Sequence, residues 1–168
     1  TTEMEPRDRT TKRLGALPYL MAAVLVAQDF HGVQTTITLD NDVVRGRTLL
    51  IMVNNIQQYG GLVEVAPRAK LDDGLLDVFV FEGLGFGYVV RHLVKVLSQR
   101  YLEDPNIVHC QAPRIEIRSE ETMPVQVDGD PLGRTPVRME VVPGALRIIA
   151  PPTMPPDLLS DTTREQPT

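Results

Sequence analysis

The chain has no tryptophan, one cysteine, and only four phenylalanines, four tyrosines and three histidines in 168 residues. A single cysteine, Cys110, excludes an internal disulfide and any zinc site built on several thiolates. His109 beside it raises a Cys–His reading. Adjacent residues of a strand point to opposite faces, however, so Cys110 reads as a buried or half-buried structural thiol. The remaining histidines, His31 and His92, lie far from His109 with no metal-ligand spacing, so core or surface roles are expected. Basic runs are missing too. Seventeen Lys and Arg stand against 22 Asp and Glu, a net charge of −5, which argues against a general nucleic-acid binder. Lys12-Arg13 and Arg7/Arg9 are interleaved with Glu3, Glu5 and Asp8. The longest apolar stretch, Ala16–Ala27, includes Pro18 and falls short of the roughly 20 residues of a bilayer span. No leader of basic then apolar residues opens the chain, so a soluble, cytoplasmic protein is expected.

Several catalytic signatures are absent as well. No G-x-S-x-G, H-E-x-x-H or Walker loop occurs. Gly83-Leu84-Gly85-Phe86-Gly87 follows a strand pattern, but the third glycine of a dinucleotide loop would fall on Tyr88. Asp40 and Asp42 resemble the start of an EF-hand loop, yet its sixth position is Arg45 rather than Gly.

The residues present are 42% hydrophobic and 23% charged, the profile of one globular domain. Leu14 to Ala27 is apolar on nearly every side and predicts a largely buried helix. Strand signals follow in Val33–Leu39, with Asp40-Asn41-Asp42 as a turn, then in Val43–Arg47, Leu49–Asn54 and Leu76–Phe81. Val89, Val90, Leu93, Val94, Leu97 and Tyr101 recur at three- and four-residue spacing and predict an amphipathic helix. The β pattern then resumes at Arg114–Arg118, Val125–Asp128, Val137–Val142 and Leu146–Ile149. The expected fold is mostly β, an antiparallel β-sandwich with a few helices. Residues 1–13 read as a frayed N-terminal segment and 14–150 as the domain. Residues 151–168, which hold Pro151, Pro152, Pro155, Pro156 and Pro167, read as a disordered tail.

Two acidic turns are the candidate chemistry. Ala69-Lys70-Leu71-Asp72-Asp73-Gly74-Leu75 is either a hairpin connection, since Asp-Gly favours turns, or a magnesium site of one or two carboxylates, carbonyls and water. Val127-Asp128-Gly129-Asp130-Pro131 is either a turn joining strands or the seat of a general base that takes the proton of an attacking hydroxyl.

Taken together, four segments resemble the diacylglycerol kinase and sphingosine kinase superfamily, in particular its bacterial diacylglycerol kinase type. They are Leu14-Gly15-Ala16-Leu17-Pro18-Tyr19-Leu20; Asn54, Tyr59-Gly60-Gly61 and Ala66–Asp77; Val125–Pro131; and Val142–Pro151. The match runs from about Lys12 to Pro151. It implies a two-domain enzyme that moves the γ-phosphate of ATP to a lipid hydroxyl such as that of diacylglycerol. In that family the first domain carries a Gly-Gly-Asp-Gly-Thr nucleotide loop, and the second is a β-sandwich that receives the lipid. No such glycine loop occurs in this sequence, so the resemblance places it as the second domain, inactive alone, with ATP bound mainly by the missing half. The same resemblance puts Mg²⁺ on the Asp73 carboxylate with the backbone carbonyls of Lys70 and Leu75, and makes Asp130 the proton acceptor. Asp130 departs from the family's usual Glu, and Leu62 replaces the third glycine after Tyr59. The strand at Leu146–Ile149 would return to the first domain. Expected partners are the lipid, the nucleotide-binding half and, transiently, a membrane surface; a homodimer stays open. Two alternatives remain: a non-catalytic lipid-binding or interaction module, and a hydrolase pairing Asp73 with Asp130, which needs both carboxyls in one cleft.

Overall fold

The structure, a computed structural model, describes residues 31–40, 42–59, 63–98, 100–149 and 154–160. The expected N-terminal segment, the Leu14–Ala27 helix and the Gly60-Gly61-Leu62 step lie outside the described residues. Ten strands appear in order: β1 (Val33–Leu39), β2 (Asp42–Asn54), β3 (Gln58–Tyr59), β4 (Val63–Glu64), β5 (Leu76–Glu82), β6 (Ile107–Ala112), β7 (Arg114–Ser119), β8 (Pro124–Val127), β9 (Asp130–Arg134) and β10 (Val137–Glu140). Among the described residues an α-helix, α1 (Phe86–Leu97), lies between β5 and β6, and short 3₁₀ turns span Tyr101–Glu103 and Pro156–Leu158.

Six strands form an antiparallel sheet in the order β10-β7-β1-β2-β5-β6. The thirteen-residue β2 organises it. Its first half, Asp42 to Thr48, pairs with β1, and its second half, from Thr48 on, pairs with β5 across a register shift between Thr48 and Leu50. A bulge bends a strand and raises its twist, so the two halves of the sheet turn toward each other. The bend is tied by a 2.7 Å hydrogen bond between the buried Thr35 and Thr48 hydroxyls. Strands β6 and β7 are separated by Pro113 alone, although three strands lie between them in the sheet order. Two such strands can be that close only if the sheet curls back on itself. Inside the curl, Ile37 and Leu39 of β1, Ile115 and Ile117 of β7, Val78 and Val80 of β5 and Ala112 of β6 form one buried cluster. The described residues thus make the mostly β, sandwich-like domain that the sequence pattern predicts.

A second core lies on the outer face of β5. Phe79 and Phe81 pack there against Ala66, Ala69, Tyr101 and Ile107, with Met52 and Val96 beside them. β5 is therefore buried on both faces from Asp77 to Phe81, which is why Val78–Phe81 is continuously apolar rather than alternating. β7 shows the opposite case: Ile115 and Ile117 point inward, while Glu116 pairs outward with Arg118 at 2.6 Å and with Arg138 at 3.2 Å.

The helix differs from its expected register. α1 ends at Leu97, and Tyr101 belongs to the following 3₁₀ turn. His92 is buried and its Nε2 donates to the Glu82 carbonyl at 2.7 Å, whereas Val90 and Val94 are exposed. The expected strand at Leu146–Ile149 is not formed: β10 stops at Glu140, and these residues pair with no described strand and are exposed, Ile149 fully so. A turn from Val142 to Ala145, with Gly144 at φ +68°, carries them off the sheet. Within the expected tail 151–168, residues 154–160 are instead held against the domain, as described below.

Arg91 and Asp104 tie the helix to the 3₁₀ turn through two hydrogen bonds of 2.9 and 2.8 Å. Burial alone would raise the Asp104 pKa. The Asn106 backbone and side chain and the Arg91 guanidinium outweigh it, so the carboxyl falls from its ordinary 3.8 to about 2. A carboxylate with a lowered folded-state pKa stabilises the fold above its unfolded pKa and loses that contribution as pH falls through the folded one. Urea midpoints of the wild type should therefore decline between about pH 4 and pH 2, and Asp104→Asn should be less stable at neutral pH with a flatter profile over that window. Equal slopes for the two proteins would remove Asp104 as a source of acid sensitivity.

Candidate metal loop and acidic hairpin

The loop from Val65 to Leu75 runs across the outer core before entering β5. It is anchored by buried Val65, Ala66 and Ala69, and by Tyr101 Oη, which donates to the Val65 carbonyl at 2.6 Å. Lys70, Asp73 and Leu75 share its last turn. The Asp73 carboxylate Oδ1 accepts the Leu75 amide at 3.0 Å, the local bond that makes Asp a turn residue. Gly74 between them sits at φ +74°, a backbone conformation open to glycine and costly for most side chains. Asp72 is otherwise engaged: its Oδ1 accepts the Ser160 amide at 2.6 Å, and its Oδ2 lies 3.0 Å from the Ser160 hydroxyl. The Leu71 amide donates to Leu158 O at 3.0 Å. Residues 154–160 therefore strap the loop. The loop is not a hairpin connection, since β4 and β5 belong to different sheets.

Asp130 lies elsewhere, at the first position of β9. Strands β8 and β9 pair as a hairpin, with Val127 opposite Asp130. Asp128 at φ +51° and Gly129 at φ +98° form its two-residue loop, with left-handed backbone at both central positions as such tight hairpins need. The Gly129 amide donates to Gln126 Oε1 at 2.6 Å. At the base of the hairpin the buried Thr135 Oγ1 accepts the Met123 amide at 2.9 Å. Asp130 itself is exposed, and no hydrogen bond ties its carboxyl to another described residue. The turn reading of this segment is thus what the backbone forms, and it leaves the Asp130 carboxyl open to solvent.

Neither of two surface cavities joins the two acidic sites. One, of about 520 Å³, lies over β1, β7 and β10, where Arg114 pairs with Asp40 at 2.9 Å and Arg138 with Glu116 at 3.2 Å. The other, of about 130 Å³, is lined by Pro67, Arg68, Phe79, Leu102 and His109. Asp73 and Asp130 line neither, so nothing in the geometry favours the paired-carboxylate hydrolase. Among the described residues no group of three or more His, Cys, Asp or Glu side chains could hold a metal ion. Any ion at the Lys70–Leu75 turn would thus rest on one carboxylate with carbonyls and water.

The cluster that sequence reasoning missed centres on Asp77, which is 1% exposed. Its Oδ1 lies 2.6 Å from His109 Nε2, and the Gln111 side-chain amide reaches both its oxygens at 3.2 Å. His109 stacks on Phe79 with ring centroids 4.4 Å apart. Cys110 points the other way, into the inner core, as strand alternation predicts. Burial, and after it the charge of Asp42, push its thiol above the ordinary range.

Among the described residues, a curled antiparallel sheet with a covering helix, a strapped acidic loop and an exposed acidic hairpin define a β-sandwich domain. A family model described as "YegS C-terminal NAD kinase beta sandwich-like domain" matches residues 4–150, and the chain belongs to that family. Curated relatives include a "Probable lipid kinase YegS-like" of Cronobacter sakazakii, 31% identical over 151 residues, and one of Pseudomonas aeruginosa, 30% identical over 154. These alignments cover 90% and 92% of this chain but 49% and 50% of the relatives. The chain therefore spans about half the length of the curated relatives it matches. A solved structure, "a putative diacylglycerol kinase from Bacillus anthracis str. Sterne", is similar with a TM-score of 0.62 and 27% identity, over 86% of this chain and 48% of that one. No helix among the described residues is long and apolar enough to cross a membrane.

Proposed function

We propose that this chain is the lipid-accepting half of an ATP-dependent lipid kinase, which acts together with a nucleotide-binding half to phosphorylate a lipid hydroxyl such as that of diacylglycerol. What carries the reading is the tight Lys70–Leu75 turn, set on a buried core, in a chain that aligns with one half of relatives named as lipid kinases. The donor set suits a weakly held Mg²⁺. Asp73 spends Oδ1 on the Leu75 amide, which leaves Oδ2 for the ion, and the carbonyls of Lys70 and Leu75 would complete the protein's share. Magnesium accepts such sparse sets because it keeps several waters. When bound, it would neutralise charge developing on the transferred phosphoryl group.

In this reading Asp130 removes the proton of the lipid hydroxyl. An exposed carboxyl on a short hairpin can reach a hydroxyl presented by a second domain or a membrane without breaking any existing bond. The hairpin also carries exposed Val127 and Leu132, apolar side chains suited to transient contact at a membrane surface. In this reading the exposed, apolar Leu146–Ile149 segment, which forms no strand by itself, would become one on pairing with the nucleotide-binding half.

The test is reconstitution. The purified chain alone is expected to transfer no phosphate from ATP to diacylglycerol. Fused to a Gly-Gly-Asp-Gly-Thr domain of this family, it should do so in a Mg²⁺-dependent way, and Asp73→Asn should raise the Mg²⁺ requirement at unchanged melting temperature. A fusion that binds ATP and lipid yet stays inactive would favour the non-catalytic lipid-binding module, a reading that the Asp-for-Glu exchange at Asp130 already supports.

A further inference from the structure

The cavity bounded by Pro67, Arg68, Phe79, Leu102 and His109 has features that neither the fold nor the kinase reading requires. Its ionisable lining is entirely basic: Arg68 and His109, with no carboxylate. Arg68 is exposed and makes no ion pair with any described residue. His109 is fixed from two sides, by the stack on Phe79 and by Asp77. The Asp77 carboxylate is almost fully buried, and a buried carboxylate held by hydrogen bonds orients the imidazole it engages. Because Asp77 takes Nε2, Nδ1 is the ring nitrogen left for a ligand, and it is not among the buried unpartnered atoms.

We propose that this cavity binds a phosphate group, carried free or on the headgroup of an anionic lipid, with Arg68 as its donor and His109 Nδ1 as an acceptor for a P–OH group. The guanidinium fork offers charge-assisted hydrogen bonds to a tetrahedral oxyanion, and His109 Nδ1, with Nε2 donating to Asp77, is placed to accept from a P–OH group. The volume, about 130 Å³, is well below the roughly 300 Å³ at which drug-sized pockets begin, so it encloses a headgroup and no more. Pro67 and the half-exposed Leu102 form an apolar rim against which the carbons next to the phosphate would rest. The inference stands whether or not the assembled protein is a kinase, since it concerns binding alone.

The test uses the whole chain with two probes: inorganic phosphate, and phosphatidylcholine vesicles with or without phosphatidic acid. His109 ring resonances are followed by NMR, and vesicle binding by co-sedimentation. Saturable shifts of the His109 ring with inorganic phosphate support a site for the free anion. Binding that requires phosphatidic acid in the vesicles supports the lipid headgroup as its source. In either arm Arg68→Gln and His109→Gln should each weaken binding about tenfold, the loss expected from one charge-assisted hydrogen bond. His109→Gln disturbs the Asp77 cluster and should lower stability. Arg68→Gln, on an exposed side chain, should leave the melting temperature unchanged and so isolates the binding term. Absence of a response to both probes, or wild-type affinity in Arg68→Gln, would overturn the proposal.

Discussion

In the two-domain kinase proposed above, Asp130→Asn is expected to lower turnover by about 10²- to 10⁴-fold, the usual contribution of a general base, at saturating ATP and lipid. The geometry makes this substitution unusually clean. Asp130 opens β9 on the exposed side of a two-residue turn and holds no hydrogen bond to a described residue. Asn keeps its size and polarity, and an exposed change away from core and caps usually shifts stability by less than about 0.5 kcal/mol. Loss of turnover without loss of binding or of melting temperature would thus report the proton-accepting role alone. Asp130→Glu restores the acid that the family usually carries and should keep substantial activity. Its longer arm moves the carboxyl by about 1 Å, a displacement that by itself can change rates a hundredfold, so an increase over wild type is also consistent with the role. Asp128→Asn is the control: Asp128 adopts φ +51°, a conformation in which Asn is at least as comfortable, so it should be close to neutral. Turnover of Asp130→Asn within a few-fold of wild type would remove the base and turn the kinase reading toward a binding module.

How far the sequence shows this fold varies with the physics of each element. β1, β2 and β7 are legible because one face of each meets the core and the other meets water, which writes a period of two into Val33–Leu39 and Arg114–Arg118. β5 is legible for the opposite reason, since two cores force a continuous apolar run. β6 and β9 left little signal. Ile107–Ala112 interrupts its apolar residues with His109 and Gln111, which serve Asp77 rather than the core. β9 contains Pro131 and Gly133, residues that demote a strand in any propensity reading, and all five of its residues are exposed. Leu146–Ile149 has strand composition without a strand, because a ladder needs a neighbour and β10 has already ended. Leu97 and Tyr101 continue the helical spacing across Ser98, where the chain turns, so the spacing alone extends the helix past its end at Leu97.

The candidate site divides along the same line. The acidic turns were visible as local chemistry, because Asx turns and left-handed glycines are fixed by residues one or two apart. The Asp77–His109–Gln111 cluster was not visible, because it depends on β5 and β6 pairing with Asp77 opposite Gln111 and Phe79 opposite His109. That register is set by tertiary packing over more than thirty residues of sequence. The alternation of His109 and Cys110 gave the one available hint, that the two side chains part company. It could not say what His109 would meet.

The largest expected effect on the fold itself belongs to Phe79→Ala. Phe79 is 1% exposed and lies at the centre of the outer core. It meets Tyr101 edge-on, with ring centroids 5.9 Å apart, and His109 face-on at 4.4 Å. Truncating a buried Phe removes its transfer free energy and leaves a cavity, at a typical cost of about 3–5 kcal/mol. Domains of this kind are stable by only about 5–15 kcal/mol, so the variant should be marginal. The Asp77–His109 pair limits how far the site can collapse, because closing the gap would pull a buried carboxylate from its partners, and this argues for the upper part of that range. Val94→Ser on the exposed face of α1 should cost almost nothing and shows that the effect is one of packing. Denaturant midpoints of both variants would measure it, and proteolysis would locate it. Phe79 supports Ala66 and Ala69 beneath the loop, so cleavage should appear first between Val65 and Leu75. A Phe79→Ala protein with near wild-type stability would mean that the loop and 3₁₀ turn are not held by this core, and the acidic turn above it would then lack the rigid base that a metal site needs.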